Sequence, residues 1–159
     1  MAPATGRLLN YTTKIAASRT VGECQQILAQ AGASSVAVHY EDGAPAGLSF
    51  ALKTPHGPRN FTLPVNVDGI QRVLVKANQG GRLRSDGHKS ASFESREHAA
   101  NVAWRVIKDW LEGSLALIAA GMAGLDEVML PYLHVAPERT LYQAYREREA
   151  ALELTAGGE

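Results

Sequence analysis

Apolar and polar positions alternate in three stretches of the first half of this chain, and a helical period replaces the alternation in the second half. Val36 and Val38 alternate over residues 35–40, Leu48, Phe50 and Leu52 over residues 48–53, and Phe61, Leu63 and Val65 over residues 60–65. A period of two places one face of each stretch against a core, which predicts three half-buried strands. Glu41-Asp42-Gly43 separates the first two, and Asp-Gly supplies the positive backbone angles of a tight hairpin. Thr54-Pro55-His56-Gly57-Pro58 makes the next turn, so the three strands read as an antiparallel meander. Residues 7–15, rich in β-branched and aromatic types, predict a further short strand.

Helical spacing accounts for the remainder. Thr20-Val21-Gly22-Glu23 has the form of a capping box, with Val21, Cys24, Ile27 and Leu28 recurring behind it and Gly32 closing the helix. Residues 67–77 predict a second helix through Ile70, Val73 and Leu74. Residues 79–94 have no period and are interrupted by glycine, which predicts a flexible basic loop. Ser95 then opens the longest element, residues 96–120, with Ala99, Val102, Ala103, Val106, Trp110, Leu117 and Ile118 as a broad apolar stripe. On its other face, Arg105 with Asp109 and Lys108 with Glu112 stand at ion-pair spacing. Residues 125–129 add a short helical turn that Pro131 stops, and residues 139–152 form a last helix bearing Leu141, Tyr142, Tyr145 and Leu152. The expected fold class is α+β: a small antiparallel meander of three to four strands packed against a long amphipathic helix and shorter helices. One domain spans residues 1–159, with loose ends at 1–6 and 155–159.

Composition narrows the functional classes. With one cysteine, Cys24, among 159 residues, no intramolecular disulfide is possible, and a reducing cytoplasm is the expected compartment. The apolar run at residues 115–120 is far short of the roughly 20 residues that cross a bilayer, so no membrane partner is expected. Net charge is zero but segregated in sequence. Residues 72–108 hold eight Lys/Arg against three acids, a net +5, and residues 109–159 hold three against nine, a net −6. Such asymmetry marks a polyanion-binding face, or it cancels when the segments pack side by side.

Asn10-Tyr11-Thr12-Thr13-Lys14-Ile15, the run from Ala103 through Trp104-Arg105-Val106-Ile107-Lys108-Asp109-Trp110 to Glu112, and Leu130-Pro131-Tyr132 together resemble a family of small phage and prophage proteins. The similarity runs from about Asn10 to Tyr145. The resemblance implies a gene expressed early or lying in a replication region, and a host bacterial cytoplasm as the setting. It brings no activity with it. The stretch from Gly80 to Ser92 departs from the family in being longer and more basic.

Few residues are arranged for bond-making chemistry. The histidines, His39, His56, His88, His98 and His134, form no metal-ligand spacing with one another or with Cys24. Cys24 lies on an apolar stripe, where a thiol packs instead of ionising. Asn78-Gln79-Gly80-Gly81-Arg82 follows a helix and lacks the Gly-Lys-Ser/Thr of a phosphate loop, while Glu41-Asp42 and Asp126-Glu127 read as turn and cap residues. No enzyme activity and no cofactor are expected. Binding is expected instead: Arg82, Arg84, His88 and Lys89 concentrate in the basic loop, flanked by Arg72, Lys76 and Arg96, with Phe93 placed to stack on a base. Nucleic acid is the first expected ligand.

The alternative is inhibition of a host or defence protein through the acidic C-terminal helices with Glu147 and Glu149, or sequestration of a small signalling nucleotide. Trp104 and Trp110, six residues apart, point in different directions. Trp110 continues the stripe, whereas Trp104 either packs against another helix or, as a partner-binding residue, anchors an interface with a second subunit. Val102, Ile107 and Leu111 extend the apolar surface beyond one face and suggest a homodimer.

Overall fold

The computed structural model describes residues 8–80 and 91–157. Within them the order is α1 (Ala17–Gln30), β1 (Ser35–Glu41), β2 (Ala44–Thr54), β3 (Gly57–Pro64), α2 (Val67–Gln79), a 3₁₀ turn (Ala91–Glu94) and α3 (Arg96–Ala119). There follow α4 (Leu125–Met129), a second 3₁₀ turn (Leu130–Tyr132), β4 (His134–Ala136), β5 (Arg139–Thr140) and α5 (Leu141–Ala156). The α+β class and the meander are as the alternation requires.

β1, β2 and β3 form an antiparallel sheet in that order, with Phe50 opposite both Val36 and Phe61. Asp42 and Gly43 both take positive φ in the β1–β2 turn, which is the geometry that twisted two-residue hairpins require. Leu48, Phe50, Leu52, Phe61 and Leu63 turn to one face and are buried there with Val21, Cys24 and Leu28 of α1, Leu74 of α2, and Ala99, Val102, Ala103, Trp104 and Leu111 of α3. α3 packs against both α1 and α2, so its buried sector is wider than one stripe. The Phe50 and Phe61 rings stack 5.6 Å apart inside this layer.

Several expectations change. Residues 8–15 form no strand: Asn10 is left-handed, Tyr11 and Thr13 donate back to Leu8 and Asn10, and Asn10 Nδ2 donates to Asp109 at 2.7 Å. Thr20 does not cap α1. The helix begins a turn earlier because the Ala17 amide is satisfied by Asn101 Oδ1 of α3 at 2.9 Å, leaving Thr20 buried within the helix.

Arg105 does not pair with Asp109; it reaches Glu23 of α1 at 2.7 Å, whereas Lys108–Glu112 forms at 2.7 Å as its spacing predicts. Of the expected loop at 79–94, Gln79 closes α2 and Ala91–Glu94 is helical, while residues 81–90 lie outside the described residues. Residues 1–6 of the expected loose N-terminus also lie outside them, and at the other end Thr155 and Ala156 belong to α5.

Two short strands, β4 and β5, form a second, two-stranded ladder. Leu133 bridges to Phe61, and the Leu141 amide donates to the Leu133 carbonyl at 2.8 Å. The C-terminal segment thus hangs from the free edge of β3. Thr140 and Gln143 cap α5 reciprocally.

Candidate functional site

The exposed side of the sheet carries a polar row that reading the strands singly does not reveal. Ser49 and Thr62 lie opposite each other on β2 and β3 and point away from the core. Their hydroxyls are 2.6 Å apart; Ser49 Oγ is also 2.5 Å from His39 Nε2 of β1, and Thr62 Oγ1 is 2.5 Å from His134 Nε2 of β4. Gly47, opposite His39, lets the β3 backbone come close: a Cβ there would stand 3.1 Å from the Leu63 carbonyl oxygen.

Three hydrogen bonds need three protons. The two hydroxyls supply at most two, so at least one imidazole must carry hydrogen on Nε2. The row spans all three strands and ends on the segment that leads to α5, so it holds the C-terminal segment to the sheet. As a nucleophile–base pair, Ser49 and His39 lack support. β2 is the central strand, with its backbone groups engaged by ladders on both sides, leaving no amide pair for an oxyanion.

A concavity of about 840 Å³ lies where the N-termini of α1, α2 and α3 meet the β1–β2 turn. Glu41, Asp42, Asp68 and Glu97 line it, and the one lining cation among the described residues, Arg96, is hydrogen-bonded to Asp68 and Gln71. Among its described lining residues none pairs a nucleophile with a base. Among the described residues no cluster of three or more His, Cys, Asp or Glu could hold a metal. Burial among apolar groups pushes the Cys24 thiol up to about 11, so it is inert. Burial also acts to raise the Glu23 carboxyl, but hydrogen bonds and charge from Arg105, with Arg19 and Lys108, outweigh it and hold the carboxyl below its ordinary range.

The expected nucleic-acid residues divide three ways. Arg82, Arg84, His88 and Lys89 lie outside the described residues. Arg96 is engaged with Asp68. Arg72 and Lys76, one turn apart on α2, are exposed along a shallow groove with Gln71, Val75 and Gln79, and neither pairs with an acid among the described residues. Phe93 is already occupied, its ring lying 6.1 Å from Tyr11 and 5.6 Å from His98, whose Nε2 meets the Tyr11 carbonyl at 2.7 Å. The sequence charge is thus partly cancelled within the fold, through Arg96–Asp68, Arg105–Glu23 and Lys108–Glu112.

The expected partner residues are also redistributed. Trp104 is not an interface anchor: it is fully buried in the core, and its indole donates to the Pro45 carbonyl at 3.1 Å. Trp110 is the less buried of the two and packs edge-on to Tyr132, 5.4 Å away. Val102 and Leu111 are likewise fully buried and Ile107 packs on the core, so these three residues are used within the chain. Glu147 is paired with Arg139, and Glu149 is exposed.

The unexpected feature is an inversion of burial along the chain. Among the described residues, Met129 alone of 17 buried apolar residues lies beyond Leu111, whereas eight of 11 exposed large apolar residues do: Leu117, Met122, Leu130, Val135, Tyr142, Tyr145, Leu152 and Leu154. None of the residues of α5 is buried. Apolar spacing alone marks these positions as core, because it cannot tell a face packed within the chain from one left open. No family model matches this chain, and neither the curated proteins nor the solved structures include a match to it.

Proposed function

We propose that this protein acts by binding another protein through the surface of residues 117–154, and not by transforming a substrate. The observation that carries the reading is the burial inversion: among the described residues, those beyond Leu111 contribute one residue to the apolar core and most of the exposed large apolar side chains. Apolar surface of this extent is costly to leave in water and marks interaction sites. The acids of residues 109–159, nine against three Lys/Arg, favour a partner with an apolar patch rimmed by positive charge. In the phage setting that the sequence resemblance implies, the partner class is a host or defence protein.

The test places a photoreactive side chain at Met122 or, as a control, at Tyr40, an exposed residue of β1, in cells that express the protein. The expected result is a discrete protein adduct at Met122 and none at Tyr40. Equal labelling at both positions, or none at either, refutes the reading.

A specific observation favours a second reading, binding of nucleic acid along α2. Arg72 and Lys76 are exposed and unpaired with acids among the described residues, and in sequence they precede Arg82, Arg84, His88 and Lys89. Anisotropy of labelled oligonucleotides would show affinity falling steeply with salt, and Arg72→Glu/Lys76→Glu would reduce the salt slope by about 2. No binding at low salt refutes it.

A further inference from the structure

We propose that α5 is the contact between two copies of this chain, paired antiparallel about a two-fold axis near Glu147. The proposal rests on the reading of residues 117–154 as an interaction surface and names the occupant of its helical part.

The seam is legible in the helix. Tyr142, Tyr145, Glu149, Leu152 and Ala156 follow one another at steps of three and four, the a/d spacing of a coiled-coil seam, and fall within about 80° of the helix circumference. All five are exposed. They stand about a quarter-turn from Leu141 and Ala144, the two less exposed residues through which α5 meets its own chain. The seam is partly organised in advance, since the Tyr142 and Tyr145 rings stack 6.4 Å apart.

The seam complements itself only when reversed. In parallel alignment Glu149 would meet Glu149 of the second copy, burying two carboxylates together. Run antiparallel, Tyr142 lies over Leu152 of the second copy and Tyr145 over Glu149, so the phenol can donate to the carboxylate. On the flank beside this seam, Arg146 and Glu153 are seven residues apart, and reversal sets each Arg146 against the other copy's Glu153. Two such pairs close the symmetric contact. The interface is short, belonging with the small and transient class, so the dimer depends on concentration.

Sedimentation velocity on the full chain over about 1 µM to 1 mM tests this. A monomer–dimer equilibrium is expected. Leu152→Glu, on an exposed position, should weaken it at least tenfold while leaving the far-UV spectrum and melting temperature unchanged, so loss of folding cannot mimic the result. Arg146→Glu should also weaken it, and Arg146→Glu combined with Glu153→Arg should restore it. A monomer at every concentration, a dimer indifferent to Leu152→Glu, or a failure of the exchanged pair to recover would each overturn the proposal. The Met122 crosslink is read in the Leu152→Glu variant as well. A persistent adduct to a different protein beside a monomeric wild type overturns the pairing and leaves the broader reading standing, whereas a monomeric wild type that gives no adduct removes both.

Discussion

Trp104→Phe distinguishes a core tryptophan from an interface tryptophan. The indole is fully buried and its N–H donates to the Pro45 carbonyl at 3.1 Å, tying the middle of α3 to the start of β2 across 59 residues of sequence. Phenylalanine keeps the aromatic contact but removes the donor, leaving that carbonyl without its partner at a cost of about 1–3 kcal/mol. It also withdraws roughly 40 Å² of apolar contact, worth about 1 kcal/mol at about 25 cal/mol per Å². The sum is about 2–4 kcal/mol. With a urea m-value of about 2 kcal/mol per M, the midpoint should fall by about 1–2 M with the slope unchanged. Far-UV circular dichroism is the probe to use, because tryptophan fluorescence would change with the substitution itself. A loss below about 1 kcal/mol, together with weakened self-association, would refute the core assignment and return Trp104 to the surface.

Three further outcomes follow from the same packing. Cys24, with its thiol raised from 9.0 to about 11, should resist alkylation at pH 8 in the folded protein and react on unfolding; its contribution to stability is present below about pH 9 and lost as pH rises towards 11, by about 3 kcal/mol at most, and rapid native-state alkylation would contradict its burial. Thr62→Val interrupts the His39–Ser49–Thr62–His134 row and should cost about 1–2 kcal/mol while raising hydrogen exchange in β4 and the first turn of α5 more than in α1; uniform exchange would deny the row its anchoring role. Thr20→Val removes a buried hydroxyl that has no hydrogen-bond partner among the described residues and should raise stability by about 1 kcal/mol in thermal unfolding, whereas destabilisation would point to a bond that the hydroxyl makes.

What the chain discloses locally is the meander and the main helices, because each repeats its pattern long enough to outweigh its neighbours: Leu48, Phe50 and Leu52 in β2, and Ala99, Val102 and Ala103 in α3. Elements decided at long range stay hidden. β4 and β5 have three and two residues, too few to show a period, and they form because Leu133 meets Phe61 across the chain. The start of α1 depends on Asn101, 84 residues away, so Thr20 has the composition of a cap without the position of one. The six-residue separation of Trp104 and Trp110 does establish that they diverge; which of them faces inward depends on α3 being flanked by both α1 and α2. The polar row has a weak signal, outward-facing His39, Ser49 and Thr62 on successive strands, but only the pairing register brings their side chains together. Arg72 and Lys76 remain exposed where their spacing puts them, while Arg96 is claimed by Asp68, a partner 28 residues earlier.

The attachment of the C-terminal segment links its stability to its use. Among the described residues the buried apolar positions run from Val21 to Leu111, and beyond that point Met129, the Phe61–Leu133 bridge and the Thr62–His134 hydrogen bond are the principal ties of the C-terminal segment. Elements with few buried contacts open at much lower free energy than the core. α5, with none of its residues buried, can therefore loosen while α1, α3 and the sheet stay folded. A partner that covers the apolar seam of α5 stabilises the ordered form in proportion to its concentration. Hydrogen exchange should consequently show α5 amides gaining protection as protein concentration rises while those of α1 do not change. If α5 protection is independent of concentration, the helix is held by its own chain alone, and its exposed aromatic seam has no second copy to cover it.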